Sequence, residues 1–245
     1  MNNQPWYASW FDTPYYHLLY SQRDEEEARE LIKSLLEYTQ LTPPAQILDL
    51  ACGKGRHSKV MNQLGFEVTG LDLSSNNIEQ AKKSLSSESL HFIEGDMRKP
   101  FGESQYDAVF NLFTSFGYFD TEKEHLQTMK SIHKALVPGG RVLFDFLNTE
   151  KAKKNLVHEE TLTRGDITFT IKRRIEGAHI IKEIHVSSPQ GQHHFTERVR
   201  TLTPEDFFRW FKGAGLTMVE ILDVPSLKRF EINHSDRMLV VGIKN

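Results

Sequence analysis

The sequence predicts an α/β protein, a doubly wound and mostly parallel seven-stranded sheet interrupted by a small inserted antiparallel β-sheet. Three observations carry that expectation. Between residues 46 and 147, short branched or apolar runs alternate with segments of helical apolar spacing. From about 157 to 201 the apolar period changes to two, and after 202 one helix and two further strands complete the pattern. A chain of 245 residues is long enough to bury one full core with an insertion.

In chain order, the first twenty residues hold Trp6, Tyr7, Trp10, Phe11, Tyr15, Tyr16 and Tyr20, a density of rings found nowhere else. Asp24 followed by Glu25, Glu26 and Glu27 predicts a helix start, Ala28, Leu31, Ile32, Leu35 and Leu36 its buried face, and Thr42-Pro43-Pro44 its end. Strands are expected at 46–50, 66–71, 90–94, 107–112 and 142–147. Helices are expected from 57, with apolar positions 57, 60, 61 and 64, and over 75–85 behind the cap Ser74. Thr121 and Glu124 form a capping box for a helix reaching Val137, which Pro138-Gly139-Gly140 stops. In the insertion, Phe169, Ile171 and Ile175, then Ile180, Ile184 and Val186, then Phe195 and Val199 mark one apolar face, with turns at Gly177-Ala178 and Pro189-Gln190-Gly191. Thr203 caps the last helix, which ends at Gly213 to Gly215, and strands at 216–224 and 237–243 follow.

The chemistry concentrates in Ile47 to Ser58, where a buried strand carrying Asp49 runs into a glycine-rich turn and a helix start. Gly53 and Gly55 let the backbone turn sharply and approach a ligand with no Cβ in the way, and the helix N-terminus presents free amides to it. A dinucleotide fold uses the same turn, and Asp72, closing the next strand, suits either case. Gly53-Lys54-Gly55-Arg56-His57-Ser58 lacks the third glycine of that fingerprint, and the Asp49 carboxylate would repel a diphosphate. A cofactor carrying an ammonium and a sulfonium tolerates it.

At these residues the chain resembles the class I S-adenosylmethionine-dependent methyltransferases. Their first motif maps onto Asp49, Cys52, Gly53 and Gly55, the second onto Asp72 in VTGLDLS and the third onto Asp96 in FIEGDMR. The resemblance covers about 45 to 150 most strongly and implies S-adenosylmethionine as cofactor, S-adenosylhomocysteine as product and an antiparallel last strand. It implies that Asp72 accepts from the ribose hydroxyls, with Leu73 and Ser74 beside it, that Asp96 accepts from the adenine amine with Met97 against the ring, and that Asp49 orients the loop or the ammonium. Ala51, Arg56 and His57 fall in the loop itself. Asn111, Leu112 and Phe113 end the fourth strand at the methionine moiety, where Phe116 and Tyr118 either face the sulfonium and acceptor or pack in the core. The aromatic N-terminus resembles a lid, with Tyr16, Tyr20 and Arg23 as candidate cofactor contacts. The implied division is 1–44 lid and helix, 45–155 with 202–245 cofactor-binding domain, and 156–201 insertion, which shapes the acceptor pocket or a dimer contact. Methyl transfer needs alignment more than a base; His17, Tyr118 and Asn148 are the candidates for proton transfer or acceptor positioning.

The remaining features exclude more than they assign. A net charge of −3 gives no global pull toward nucleic acid or anionic membrane. The N-terminus has no export signal pattern and no apolar run is long enough to span a bilayer, so a cytoplasmic protein, monomer or homodimer, is expected. Cys52 is the only cysteine, and a small residue is what its turn accommodates. His193 and His194 are adjacent in a strand and point to opposite faces, with no ligand partner apparent, so no metal is expected. Lys172, Arg174, Arg198 and Arg200 share the face opposite the apolar stripe, diluted by Glu176, Glu183 and Glu197. A small-molecule methyltransferase is the primary expectation; an RNA methyltransferase using that basic face, a non-catalytic cofactor-binding module and a nicotinamide oxidoreductase are the alternatives.

Overall fold

The computed structural model describes residues 6–21, 25–113 and 115–245. Two short helices, α1 (Trp6–Trp10) and α2 (Pro14–Leu19), precede the longer α3 (Glu25–Thr39). Thr13 caps α2, accepting from the Tyr16 amide at 3.1 Å, and Pro14 starts the helix with its φ already set. Ala28, Ile32, Leu35 and Leu36 bury one face of α3 as expected, while the proposed start at Asp24 and the candidate contact Arg23 lie outside the described residues.

Next come β1 (Gln46–Leu50), α4 (Arg56–Gln63), β2 (Glu67–Asp72), α5 (Ser75–Leu85), β3 (Leu90–Glu94), β4 (Tyr106–Asn111), α6 (Glu122–Ala135) and β5 (Leu136–Leu147). Ser74 caps α5 and the Thr121–Glu124 capping box starts α6, both as predicted. The end of α6 differs from expectation. It stops at Ala135, and Pro138-Gly139-Gly140 is absorbed as an irregular start of β5: Tyr106 pairs with Leu136 but Ala108 with Arg141. A short helix, α7 (Thr149–Lys154), leads to four antiparallel strands, β6 (Glu159–Arg164), β7 (Ile167–Glu176), β8 (His179–Ser188) and β9 (Gly191–Arg200). The chain closes with α8 (Pro204–Ala214), β10 (Leu216–Asp223) and β11 (Arg237–Lys244).

The main sheet has the order β10-β11-β5-β4-β1-β2-β3, and β11 runs antiparallel to both β5 and β10 while the pairs from β5 to β3 are parallel. Alternation along each strand feeds two cores. Ile47, Val68, Ala108, Phe110 and Leu239 pack with α3, α4 and α5, whereas Leu48, Leu50, Val109, Phe144 and Val240 pack with α6 and α8. Strand order reverses between β1 and β4, which opens a crevice beyond the carboxyl ends of β1, β2 and β4.

A third core joins the insertion to the N-terminus. Phe169, Ile171, Ile184 and Val186 pack with Trp10 and Leu19, flanked by Tyr16, Tyr20 and Phe195. Ile175, at the far end of the same stripe, is exposed because the two short helices do not reach it.

One position in the crevice loop is tied to the core by volume. Gly55 caps α4 at φ +81°, and a Cβ there would lie 2.6 Å from two ring atoms of the buried Phe92. Gly55→Ala is expected to destabilise the fold by about 2–4 kcal/mol, combining the left-handed strain with overpacking. Gly139→Ala, at φ +79° with nothing within 4 Å, carries the strain alone, about 1–2 kcal/mol. Urea midpoints of the two variants measure the difference; equal losses would show that Phe92 yields without cost.

Candidate active site

A cavity of about 330 Å³ occupies the crevice. Its floor comes from three strand ends: Ala51 to Lys54, Arg56 and His57 after β1, Leu71 to Ser74 with Asn77 after β2, and Leu112, Phe113, Ser115, Tyr118 and Phe119 after β4. Gly95, Asp96 and Met97 close the β3 side, and Tyr7, Phe11, Tyr16, His17 and Tyr20 of α1 and α2 form the roof. Ala51 and Phe113 adopt φ +63° and +73°, conformations that non-glycine residues seldom take and that concentrate at functional sites.

Buried hydrogen bonds hold the floor in place. Asp72 accepts from the Gly53 amide and the Ser74 amide, each at 2.9 Å, so one carboxylate fixes both the glycine turn and the cap of α5. Burial pushes its pKa up, against those hydrogen bonds. Asp96 also lines the cavity, but Arg98 holds its carboxylate through Nε and Nη2, the latter at 2.7 Å. Partial burial raises the Asp96 pKa and the Arg98 contacts more than reverse this, leaving it below the ordinary carboxylate value. The Phe113 ring lies beneath the guanidinium carbons of Arg237 and Arg56, 5.0 and 5.7 Å from its centroid. Asp145, 2% exposed, accepts from Arg237 Nε at 2.7 Å and from the Phe113 amide at 3.2 Å, fixing the turned backbone.

Several expected contacts are placed elsewhere. Asp49 is buried behind the loop and accepts from Ser58 Oγ at 2.6 Å, so it orients the loop rather than facing the cavity. Gly55 lies beneath the turn as the α4 cap. Asn111 donates to the Leu50 carbonyl at 2.8 Å, stitching β4 to β1. Phe116 is in the core against Phe144, Phe207 and Trp210, because the turn at Phe113 redirects the chain inward before Tyr118 and Phe119 return to the cavity. Asn148 caps α7 and donates to the carbonyls of Ile232 and Ser235, both at 2.8 Å, remote from the lining. Of the candidates for proton transfer, His17 and Tyr118 do line the cavity. Residues that motif reading missed are Tyr7, Phe11, Lys54, Leu71, Asn77, Gly95, Ser115 and Phe119; the ring-rich N-terminus was the signal for the first two.

Burial shifts several titratable groups in and behind the cavity lining. His57 is pushed down to about 3 by burial and by the charges of Arg56 and Arg237, so its imidazole is neutral. Burial and Lys54 lower His17, and burial raises Tyr7. Behind the loop, burial raises Asp49 from 3.8 to about 6. A carboxyl whose folded value exceeds its unfolded one binds its proton more tightly when folded, so the associated stability is full below the unfolded value and is lost as pH rises to about 6. This group alone therefore lowers stability by about 2 kcal/mol between pH 4 and 7. Denaturant unfolding of wild type and Asp49→Asn over that range tests it; parallel profiles would remove Asp49 as the source.

The insertion supports the roof and stays out of the cavity: among the described residues, none from β6 to β9 lines it. Glu197 of β9 accepts from Trp10 Nε1 at 2.7 Å and from the Tyr20 hydroxyl at 2.8 Å, and faces Lys182 Nζ at 3.5 Å. Of the two expectations for the insertion, an acceptor pocket or a dimer contact, the first is not met by direct lining of this cavity, which the insertion reaches only through Trp10 and Tyr20. On its outer face the basic residues meet acids: Lys172 meets Glu159, Arg174 meets Glu176 and Glu183, Arg198 meets Asp120, and Arg200 meets Glu122. His193 bonds the Tyr15 hydroxyl at 2.9 Å on the inner face. His194 stacks on His185 across the strand pair at 4.5 Å with Glu183 nearby, a cross-strand neighbour invisible to spacing, and Arg174 holds the Glu183 carboxylate at 2.7 Å.

Comparison with known proteins adds the following. A family model described as a methyltransferase domain matches residues 47–140. YqeM of Bacillus subtilis (strain 168), a provisionally named methyltransferase, is 30% identical over 187 residues, covering 73% of this chain and 76% of its own. The dTDP-3-amino-3,4,6-trideoxy-alpha-D-glucopyranose N,N-dimethyltransferase of Streptomyces venezuelae is 29% identical over 224 residues, covering 86% of this chain and 92% of its own. Among solved structures, an S-adenosylmethionine-dependent methyltransferase from Clostridium acetobutylicum ATCC 824 shares the fold at TM-score 0.78 and 18% identity, covering 94% of this chain and 96% of its own.

Proposed function

The chain belongs to the class I S-adenosylmethionine-dependent methyltransferases, and from that premise we propose that it methylates a small molecule, an amine first among candidates, held beneath its aromatic lid. The observation that carries the reading is the cavity itself: a carboxylate that fixes the glycine turn, set under a roof of aromatic rings. The residues present fit the cofactor. Gly53, at φ +57° with nothing within 4 Å of a would-be Cβ, leaves the floor open, Asp72 offers acceptor lone pairs for a sugar, and the rings of the lid suit a sulfonium. The Streptomyces venezuelae relative, named as an N,N-dimethyltransferase of a dTDP-linked amino sugar, favours an amine.

When bound, S-adenosylmethionine supplies a methyl carbon already activated by its sulfonium leaving group. What the chain adds is alignment. Asp72 and the Gly53 turn it fixes would hold one end of the donor, while the Phe113 turn, locked by Asp145 and Arg237, fixes the other side of the floor. Tyr7, Phe11, Tyr16 and Tyr20 exclude water above it. The neutral His57 and the protonated Tyr7 add no competing charge, and an amine that enters unprotonated needs no base to attack.

The basic outer face of the insertion, matched by acids, does not favour RNA. Incubation with labelled donor and a panel of small amines and alcohols, amino sugars included, is expected to release S-adenosylhomocysteine with at least one of them. Donor binding without release for any acceptor would instead favour a cofactor-binding module.

A further inference from the structure

Two polar atoms of the cavity lining are buried without a hydrogen-bond partner among the described residues, His17 Nε2 in the lid and Asn77 Oδ1 in the first turn of α5. The other buried orphan atoms, on Asn111, His125, Arg164, His179 and Arg237, belong to residues outside the lining. Asn77 is 3% exposed, so leaving its carbonyl oxygen unpaired is costly. A ligand that supplies hydroxyls would remove that cost. The placement is specific: Asn77 sits close enough to the Asp72 carboxylate and the His17 imidazole to lower the pKa of the first and raise that of the second. At the same spot Asp12 of the lid accepts from Ser74 Oγ, pinning the roof to the α5 cap.

We infer that His17 and Asn77 complete, with Asp72, a binding site for the vicinal diol of the cofactor ribose, so that the lid as well as the floor reads the sugar. The inference rests on the cofactor reading above. Its hydrogen bonding balances: a diol brings two O–H donors and two oxygen acceptors. The Asp72 carboxylate and Asn77 Oδ1 only accept, and take the two hydroxyl protons. The neutral His17 imidazole, with its proton on Nε2, donates to a hydroxyl oxygen. A lid that bonds the sugar closes more tightly over a ribosyl ligand than over a deoxyribosyl one.

Calorimetric titration with S-adenosylhomocysteine and its 2′-deoxy and 3′-deoxy forms tests this on wild type, His17→Phe and Asn77→Leu, with thermal melts to confirm that each variant is folded. Wild type is expected to prefer the ribosyl ligand by about tenfold over at least one deoxy form, and each variant to lose about tenfold for the ribosyl ligand but little for that deoxy form. Variants that keep the wild-type preference for the ribosyl ligand would overturn the inference while leaving the cofactor reading intact. Wild type that binds none of the three would overturn both.

Discussion

Asp72→Ala is expected to weaken S-adenosylhomocysteine binding by at least about a hundredfold. A hydrogen bond to a charged group contributes about 1.5–3 kcal/mol, the upper end of which is about a hundredfold in affinity, and the carboxylate accepts one from the ribose. The substitution also frees the Gly53 and Ser74 amides, which the carboxylate now fixes at 2.9 Å, so the turn and the α5 cap lose their common anchor. Asp72→Asn separates the two effects. Its amide oxygen can keep one backbone contact while the charge is gone, and affinity should fall between wild type and the alanine variant. Calorimetry gives the affinities and urea unfolding the stabilities. Alanine and wild type binding equally would mean that the ligand does not meet this carboxylate.

The second large effect is expected behind the cavity wall, where Glu197 bonds the lining residue Tyr20. Glu197→Ala removes the acceptor shared by Trp10 Nε1 and the Tyr20 hydroxyl and leaves Lys182 without its carboxylate, in a place where the two side chains are 13% and 12% exposed. Removing one partner of a buried pair costs about 3–5 kcal/mol. Burial already lowers the Lys182 pKa, an effect that Glu197 opposes. Releasing the lid lets water reach the ammonium, so the lid, rather than the main sheet, is expected to yield. Limited proteolysis should then cut within residues 6–21, and S-adenosylhomocysteine should bind at least about tenfold more weakly although residue 197 does not line the cavity. The apolar pair Glu197→Leu with Lys182→Met should restore part of the protection, since it leaves no buried charge. Protease resistance equal to wild type in Glu197→Ala would show that apolar packing alone holds the lid.

The residues legible in the sequence are those whose roles are local. The Gly53–Gly55 turn, Asp72 at the end of β2 and the caps at Ser74, Thr121 and Thr203 depend on neighbours a few positions away, and the structure places them as expected. The alternation of apolar runs with helical spacing marked the doubly wound class, and the sheet has the antiparallel last strand that the resemblance implied. What escaped detection depends on distant chain segments. For Phe116 spacing left both the cavity edge and the core open, and the positive φ of Phe113, fixed by Asp145 and Arg237 from other strands, turns it into the core. Asn148 looked equally well placed, yet its amide serves the Ile232 and Ser235 carbonyls. The Glu197 cluster and the His185–His194 stack depend on cross-strand register and on a lid that docks there, neither of which spacing encodes.

The central claim is that this cavity holds S-adenosylmethionine, and titration of the wild-type protein with S-adenosylmethionine, S-adenosylhomocysteine and NADH tests it most directly. Saturable binding of both adenosyl ligands with none for NADH is the predicted result; binding of NADH alone would contradict it.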